Sequence, residues 1–146
     1  MKQVLVTGAS GFIASHCIIQ LLEKAYLVRG TLRSLNRATE IESVLSKHVS
    51  TENLGFVSCN LEHDEGWDAA MEDCDYVLHV ASPIPRTAPK DPDELIKPAT
   101  EGALRAIKAA QNAGVKRFVM TASTAQHCPP LLLQLLAGLQ RLCISN

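Results

Sequence analysis

Val4-Leu5-Val6-Thr7-Gly8-Ala9-Ser10-Gly11-Phe12-Ile13-Ala14 is the stretch that decides the fold. Gln3–Val6 is a short β-branched and apolar run, and Ile13, Cys17, Ile18, Leu21 and Leu22 then recur at helical spacing. Glycines separate the two patterns, so the segment reads as strand, turn and helix.

The same alternation continues along the chain. Residues 26–32 read as a second strand, 40–47 as a short helix, 54–59 as a third strand, Trp67–Met71 as a brief helix and 76–80 as a fourth strand. Pro83, Pro85, Pro89 and Pro92 make residues 82–93 a loop. A helix follows over 95–113, with Leu104, Ile107 and Ala110 at helical spacing and Gly114 where a left-handed residue is usual, and 117–122 is a fifth strand. Nearly all-apolar strands alternating with helices predict an α/β Rossmann fold: a doubly wound parallel sheet of order 3-2-1-4-5 that ends after the fifth strand. Residues 1–125 are expected to form this domain.

The chemistry follows from the place of the glycines. A dinucleotide's pyrophosphate needs backbone N–H groups and a helix N-terminus facing it, and side chains at Gly8 or Gly11 would block that approach. Amides around these two glycines are therefore expected to wrap the diphosphate, with Ala14 small enough for helix and strand to pack closely. Alone, Gly-x-x-Gly-x-x-Ala also suits an ordinary turn whose glycines supply positive φ. Its position between strand and helix favours the coenzyme. At the end of the second strand an acid would bond the ribose 2′-hydroxyl, but the sequence there is Arg29-Gly30-Thr31-Leu32-Arg33-Ser34. The donor fork of Arg33 suits a 2′-phosphate, with Ser34 beside it and Arg37 beyond. NADP(H) is thus expected ahead of NAD, against the alternative that both arginines are solvated surface charges.

Residues 4–13, His79-Val80-Ala81-Ser82-Pro83 and Arg117-Phe118-Val119-Met120-Thr121-Ala122-Ser123 together resemble the extended short-chain dehydrogenases of the NAD-dependent epimerase/dehydratase superfamily. Within them, the likeness is to the dihydroflavonol 4-reductase and cinnamoyl-CoA-reductase-like group, over about the first 125 residues. The coenzyme set is then Thr7, Gly8, Ser10, Gly11, Phe12, Ile13 and Arg33. The resemblance adds Asn60 and Leu61 near the adenine, where the family usually has Asp-Leu, and Ala81, Ser82 and Pro83 where its backbone passes the nicotinamide ribose. It implies that Ser123 is the catalytic serine that bonds the substrate carbonyl or hydroxyl; a strand-end serine bonding its own backbone is the other reading.

In the family a tyrosine protonates the carbonyl oxygen, and a lysine four residues later lowers its pKa and holds the ribose. A phenol needs such a cation, being too weak an acid at neutral pH. Here the last tyrosine is Tyr76 and the last lysine is Lys116, both ahead of Ser123. The expectation is an NADP(H)-binding part of a reductase acting on a carbonyl or CH–OH group, truncated before the substrate lobe and with little activity of its own. A leucine-rich tail over 126–146, unlike the family, suggests a frameshifted, alternatively spliced or truncated product. The alternative is a non-enzymatic nucleotide-binding or interaction protein that uses this tail.

Composition narrows the partners. With 47% apolar and 20% charged residues the chain reads as one soluble globular domain, and a net charge of -1 gives no footprint for nucleic acid or anionic lipid. No membrane partner is expected, since no apolar run reaches spanning length. Five cysteines with no Cys-x-x-Cys spacing suggest neither disulfides nor zinc, but reduced thiols in a cytoplasmic protein. The strand pattern near Met1 leaves no room for a cleavable leader. His63, Asp64, Glu65 and Asp68 lack ligand spacing; they read as a solvated turn with Asp64 or Asp68 as helix caps, and His16 and Cys17 as packing residues. Self-association is expected through the exposed sheet edge or the tail.

Overall fold

The fold is taken from a computed structural model that describes residues 1–83, 91 and 93–122. Ser123, the tail and most of the proline-rich loop lie outside the described residues. Five strands, β1 (Gln3–Val6), β2 (Leu27–Leu32), β3 (Leu54–Ser58), β4 (Tyr76–His79) and β5 (Arg117–Met120), form one parallel sheet in the order β3-β2-β1-β4-β5. The expected order and class are those found. Among the described residues four helices alternate with them: α1 (Phe12–Glu23), α2 (Ala38–Leu45), α3 (Trp67–Met71) and α4 (Asp93–Asn112).

Successive strand residues face opposite sides, which explains the unbroken apolar runs: both faces are covered. On one, Val4 and Val6 of β1 pack with Ile18 and Leu22 of α1 and Ile41 and Leu45 of α2. On the other, Leu5 and Val77 pack with Trp67, Ala70 and Met71 of α3 and Ala106, Ala109 and Ala110 of α4. Consecutive units therefore leave β1 in opposite directions, and a crevice opens at the carboxyl ends of β1 and β4.

Several local expectations need correction. The buried stripe of α4 is Gly102, Ala106, Ala109 and Ala110, while Leu104 and Ile107 are half-buried, because small residues let the helix settle close to its neighbours. A Cβ on Gly102 would lie 3.2 Å from Leu61 Cβ. Gly114 closes α4 with φ +70°, as its position predicted. Neither Asp64 nor Asp68 caps α3; that place belongs to Gly66 in a left-handed conformation. A single 3-10 turn, Leu35–Arg37, follows β2 and was not anticipated.

Beyond β5 no further strand pairs among the described residues, and Val119 is 49% exposed on the face that carries α1. No described helix is long and apolar enough to cross a membrane.

Candidate functional site

The site begins with the β1–α1 turn. Gly8 has φ +71°, and a Cβ there would sit 3.0 Å from Ala81 Cβ and 3.2 Å from its Cα, so glycine is required both by conformation and by the approach of the strand β4 extension. The Gly8 N–H donates to Thr31 Oγ1 at 3.0 Å, Ala9 N–H to the Thr31 carbonyl at 3.0 Å and Gly11 N–H to the Gly8 carbonyl at 2.8 Å. The amides of the two glycines themselves are therefore spent inside the turn. The open donors lie one step on. Ser15 N–H is the first to bond back, to the Gly11 carbonyl at 2.9 Å, and no side chain caps α1. Phe12, Ile13 and Ala14 thus present N–H groups of a helix N-terminus with no partner among the described residues. Phe12 is 80% exposed and meets His16 edge-on at 4.7 Å; His16 is a surface residue, not the packing residue expected.

A cleft of about 700 Å³ opens over this turn, within the usual range for a small-molecule site. All twelve residues read from the sequence as the coenzyme set line it: Thr7, Gly8, Ser10, Gly11, Phe12, Ile13, Arg33, Asn60, Leu61, Ala81, Ser82 and Pro83. Thr31, Cys59, Glu62, Trp67, Glu94 and Pro98 line it too and were missed. Pro98 interrupts α4, removing the bond its N–H would make to the Glu94 carbonyl. Ser123 falls outside the described residues.

The two arginines after β2 separate in role. Arg33 is exposed at the cleft, and its guanidinium has no partner among the described residues. Arg37 is turned to Glu40, with Nε 3.1 Å from Oε2, and does not line the cleft. Opposite them, Asn60 is held by its own loop: its Oδ1 accepts from Glu62 N–H at 3.2 Å, and its carbonyl accepts from Trp67 Nε1 at 3.2 Å. Leu61 is fixed by Arg105, which donates to its carbonyl while its Nε donates to Asp64. Asp64 is thus an ion-pair partner of α4, its carboxyl held below the usual range by that guanidinium. No cluster of metal-ligating side chains occurs among the described residues. Burial pushes the Cys59 thiol up to about 12, which rules it out as a thiolate nucleophile near neutral pH.

At the back of the cleft Thr7 and His79 are both buried. Thr7 Oγ1 accepts from Val80 N–H and Ala81 N–H at 3.0 Å each and lies 3.0 Å from His79 Nδ1. The His79 ring packs against Phe118 at 5.7 Å, and burial lowers its pKa to about 4.

The chain is 37% identical over 123 residues to a dihydroflavonol 4-reductase of Dianthus caryophyllus, covering 84% of this chain and 34% of the relative. Vestitone reductase from alfalfa (Medicago sativa L.) superposes with a TM-score of 0.67 at 35% identity, over 85% of this chain and 37% of that one. The yeast methylglyoxal/isovaleraldehyde reductase Gre2 complexed with NADPH gives 0.72 at 26% identity, over 83% and 37%. The chain therefore spans about a third of the length of these relatives. Residues 4–130 match the model of the NAD dependent epimerase/dehydratase family, and the chain belongs to that family.

Proposed function

We propose that the cleft binds NADP(H) and that the chain is the coenzyme-binding part of a reductase of the dihydroflavonol-reductase type. The observation that carries this reading is the convergence on one cleft of α1 amides and an Arg33 guanidinium that have no partner among the described residues, together with the Ala81–Pro83 ribbon. Phe12 and Ile13 would donate to the diphosphate, Arg33 would hold the 2′-phosphate, Asn60 and Leu61 would flank the adenine, and Ala81, Ser82 and Pro83 would pass the nicotinamide ribose. The NADPH in the Gre2 structure supports the choice of coenzyme. Bound there, it supplies a hydride for a carbonyl carbon.

Ser123 would orient the substrate oxygen. The chain holds no tyrosine or lysine after it, so turnover by these 146 residues alone is expected to be slight. The test is to titrate NADPH and NADH into the wild type and Arg33→Ala. A charge-assisted bond to the 2′-phosphate predicts about a tenfold loss confined to NADPH; equal affinities for both coenzymes in both proteins would refute the assignment.

A further inference from the structure

Within the coenzyme reading just given, we infer that His79 is a positioning residue that sets the cleft wall through Thr7. Its ring Nδ1 accepts a hydrogen bond from the Thr7 hydroxyl, so that the hydroxyl oxygen is left to clamp the backbone N–H groups of Val80 and Ala81.

The inference rests on counting protons. Two amides, those of Val80 and Ala81, donate to Thr7 Oγ1 at 3.0 Å each. They fill both acceptor sites of a hydroxyl, which has one proton of its own to give. His79 Nδ1, also 3.0 Å away, is the acceptor left for it. That nitrogen must be bare, and the neutral ring carries its proton on Nε2. A ring protonated at Nδ1 would present a third donor to an oxygen with no site left.

The surroundings fit a fixed acceptor. His79 is 3% exposed, and the loss of hydration keeps its ring neutral near pH 7. It does not line the cleft, whereas Thr7, Val80 and Ala81 do. Ala81 is also the residue against which Gly8 packs, with only 3.0 Å available to an added Cβ. A small displacement of this ribbon would therefore be felt at the glycine turn itself.

The experiment uses the full chain and compares His79→Leu, His79→Asn, Thr7→Val and the Thr7→Val/His79→Leu double variant. Asparagine puts an amide oxygen close to the place of Nδ1; leucine offers no acceptor. NADPH affinity is read by fluorescence, thermal melting controls for folding, and heteronuclear NMR of the wild-type ring nitrogens reports the tautomer. We expect a bare Nδ1 and a protonated Nε2. His79→Leu should weaken NADPH binding about fivefold, the worth of one hydrogen bond, and His79→Asn should stay within about twofold of the wild type. The double variant should bind no more weakly than Thr7→Val alone, since both changes break one clamp.

A wild-type ring protonated at Nδ1, additive losses, or His79→Asn as weak as His79→Leu would each overturn the inference. A wild type that binds no NADPH would refute the coenzyme reading instead, and the ring-nitrogen spectrum would then decide the clamp by itself. Should His79→Leu fail to fold, His79→Asn and that spectrum still decide it.

Discussion

The two ends of the sheet treat their polar groups in opposite ways. At the amino end, Asp75 Oδ2 accepts from Gln3 N–H at 3.0 Å and Oδ1 accepts from Lys116 Nζ at 2.6 Å. Lys116 N–H donates to the Asp75 carbonyl at 2.9 Å. The neighbouring ammonium and the Gln3 amide hold the Asp75 carboxyl below the usual carboxylate range. One side chain thus ties the starts of β1, β4 and β5. At the carboxyl end the first amides of α1 and the Arg33 guanidinium have no partner among the described residues. At one end the polar groups join strands; at the other they stay open among the described residues. That difference is what favours the carboxyl end for the proposed coenzyme site, on a sheet with an apolar cluster on each face.

The sharpest way to break the open end is Gly8→Val. A β-branched residue at φ +71° whose Cβ abuts Ala81 distorts the turn and the wall together. Strain of this kind predicts a loss of NADPH affinity of about a hundredfold or more. Unchanged binding in a folded variant would contradict the geometry.

Acid should come next. The unfolded His79 ring takes up a proton near pH 6.5 and the folded ring near 4. Between those values the unfolded state holds more protons, so stability is full above pH 6.5 and is lost as the pH falls toward 4, by up to about 3 kcal/mol. Urea midpoints measured at neutral pH and near pH 4.5 should show the fall, and His79→Asn should flatten it. A midpoint independent of pH in the wild type would show that the ring is not held neutral.

The smallest effect on binding belongs to the closed end. Asp75→Asn should lower the melting temperature while leaving NADPH affinity unchanged; a selective loss of affinity would mean that the two ends are coupled.

The strands and their order were legible because each is a short apolar run bounded by turn residues, and because right-handed crossovers leave few arrangements for such units. The twelve residues that share the cleft were legible for a related reason: in this architecture the carboxyl ends of neighbouring strands meet, wherever their residues stand in the chain. What escaped was pairing across sequence. Nothing around Thr31 announces that its hydroxyl takes the Gly8 amide, 23 residues away. The Asp64–Arg105 pair spans 41 residues and turned an expected helix cap into a brace for Leu61. The alanine stripe of α4 was visible as a pattern, but leucine and isoleucine beside it carry the stronger hydropathy signal. Which amides around the glycine turn stay open was not legible: internal bonds consume those of Gly8 and Gly11, and among the described residues the helix that follows holds open ones.

The central claim is that a diphosphate sits on the first turn of α1. Backbone amide NMR during NADPH addition tests it directly. The largest shifts should fall on Phe12 and Ile13, with Lys116 and Asp75 unmoved. Shifts concentrated at the amino end of the sheet, or none at saturating NADPH, would contradict it.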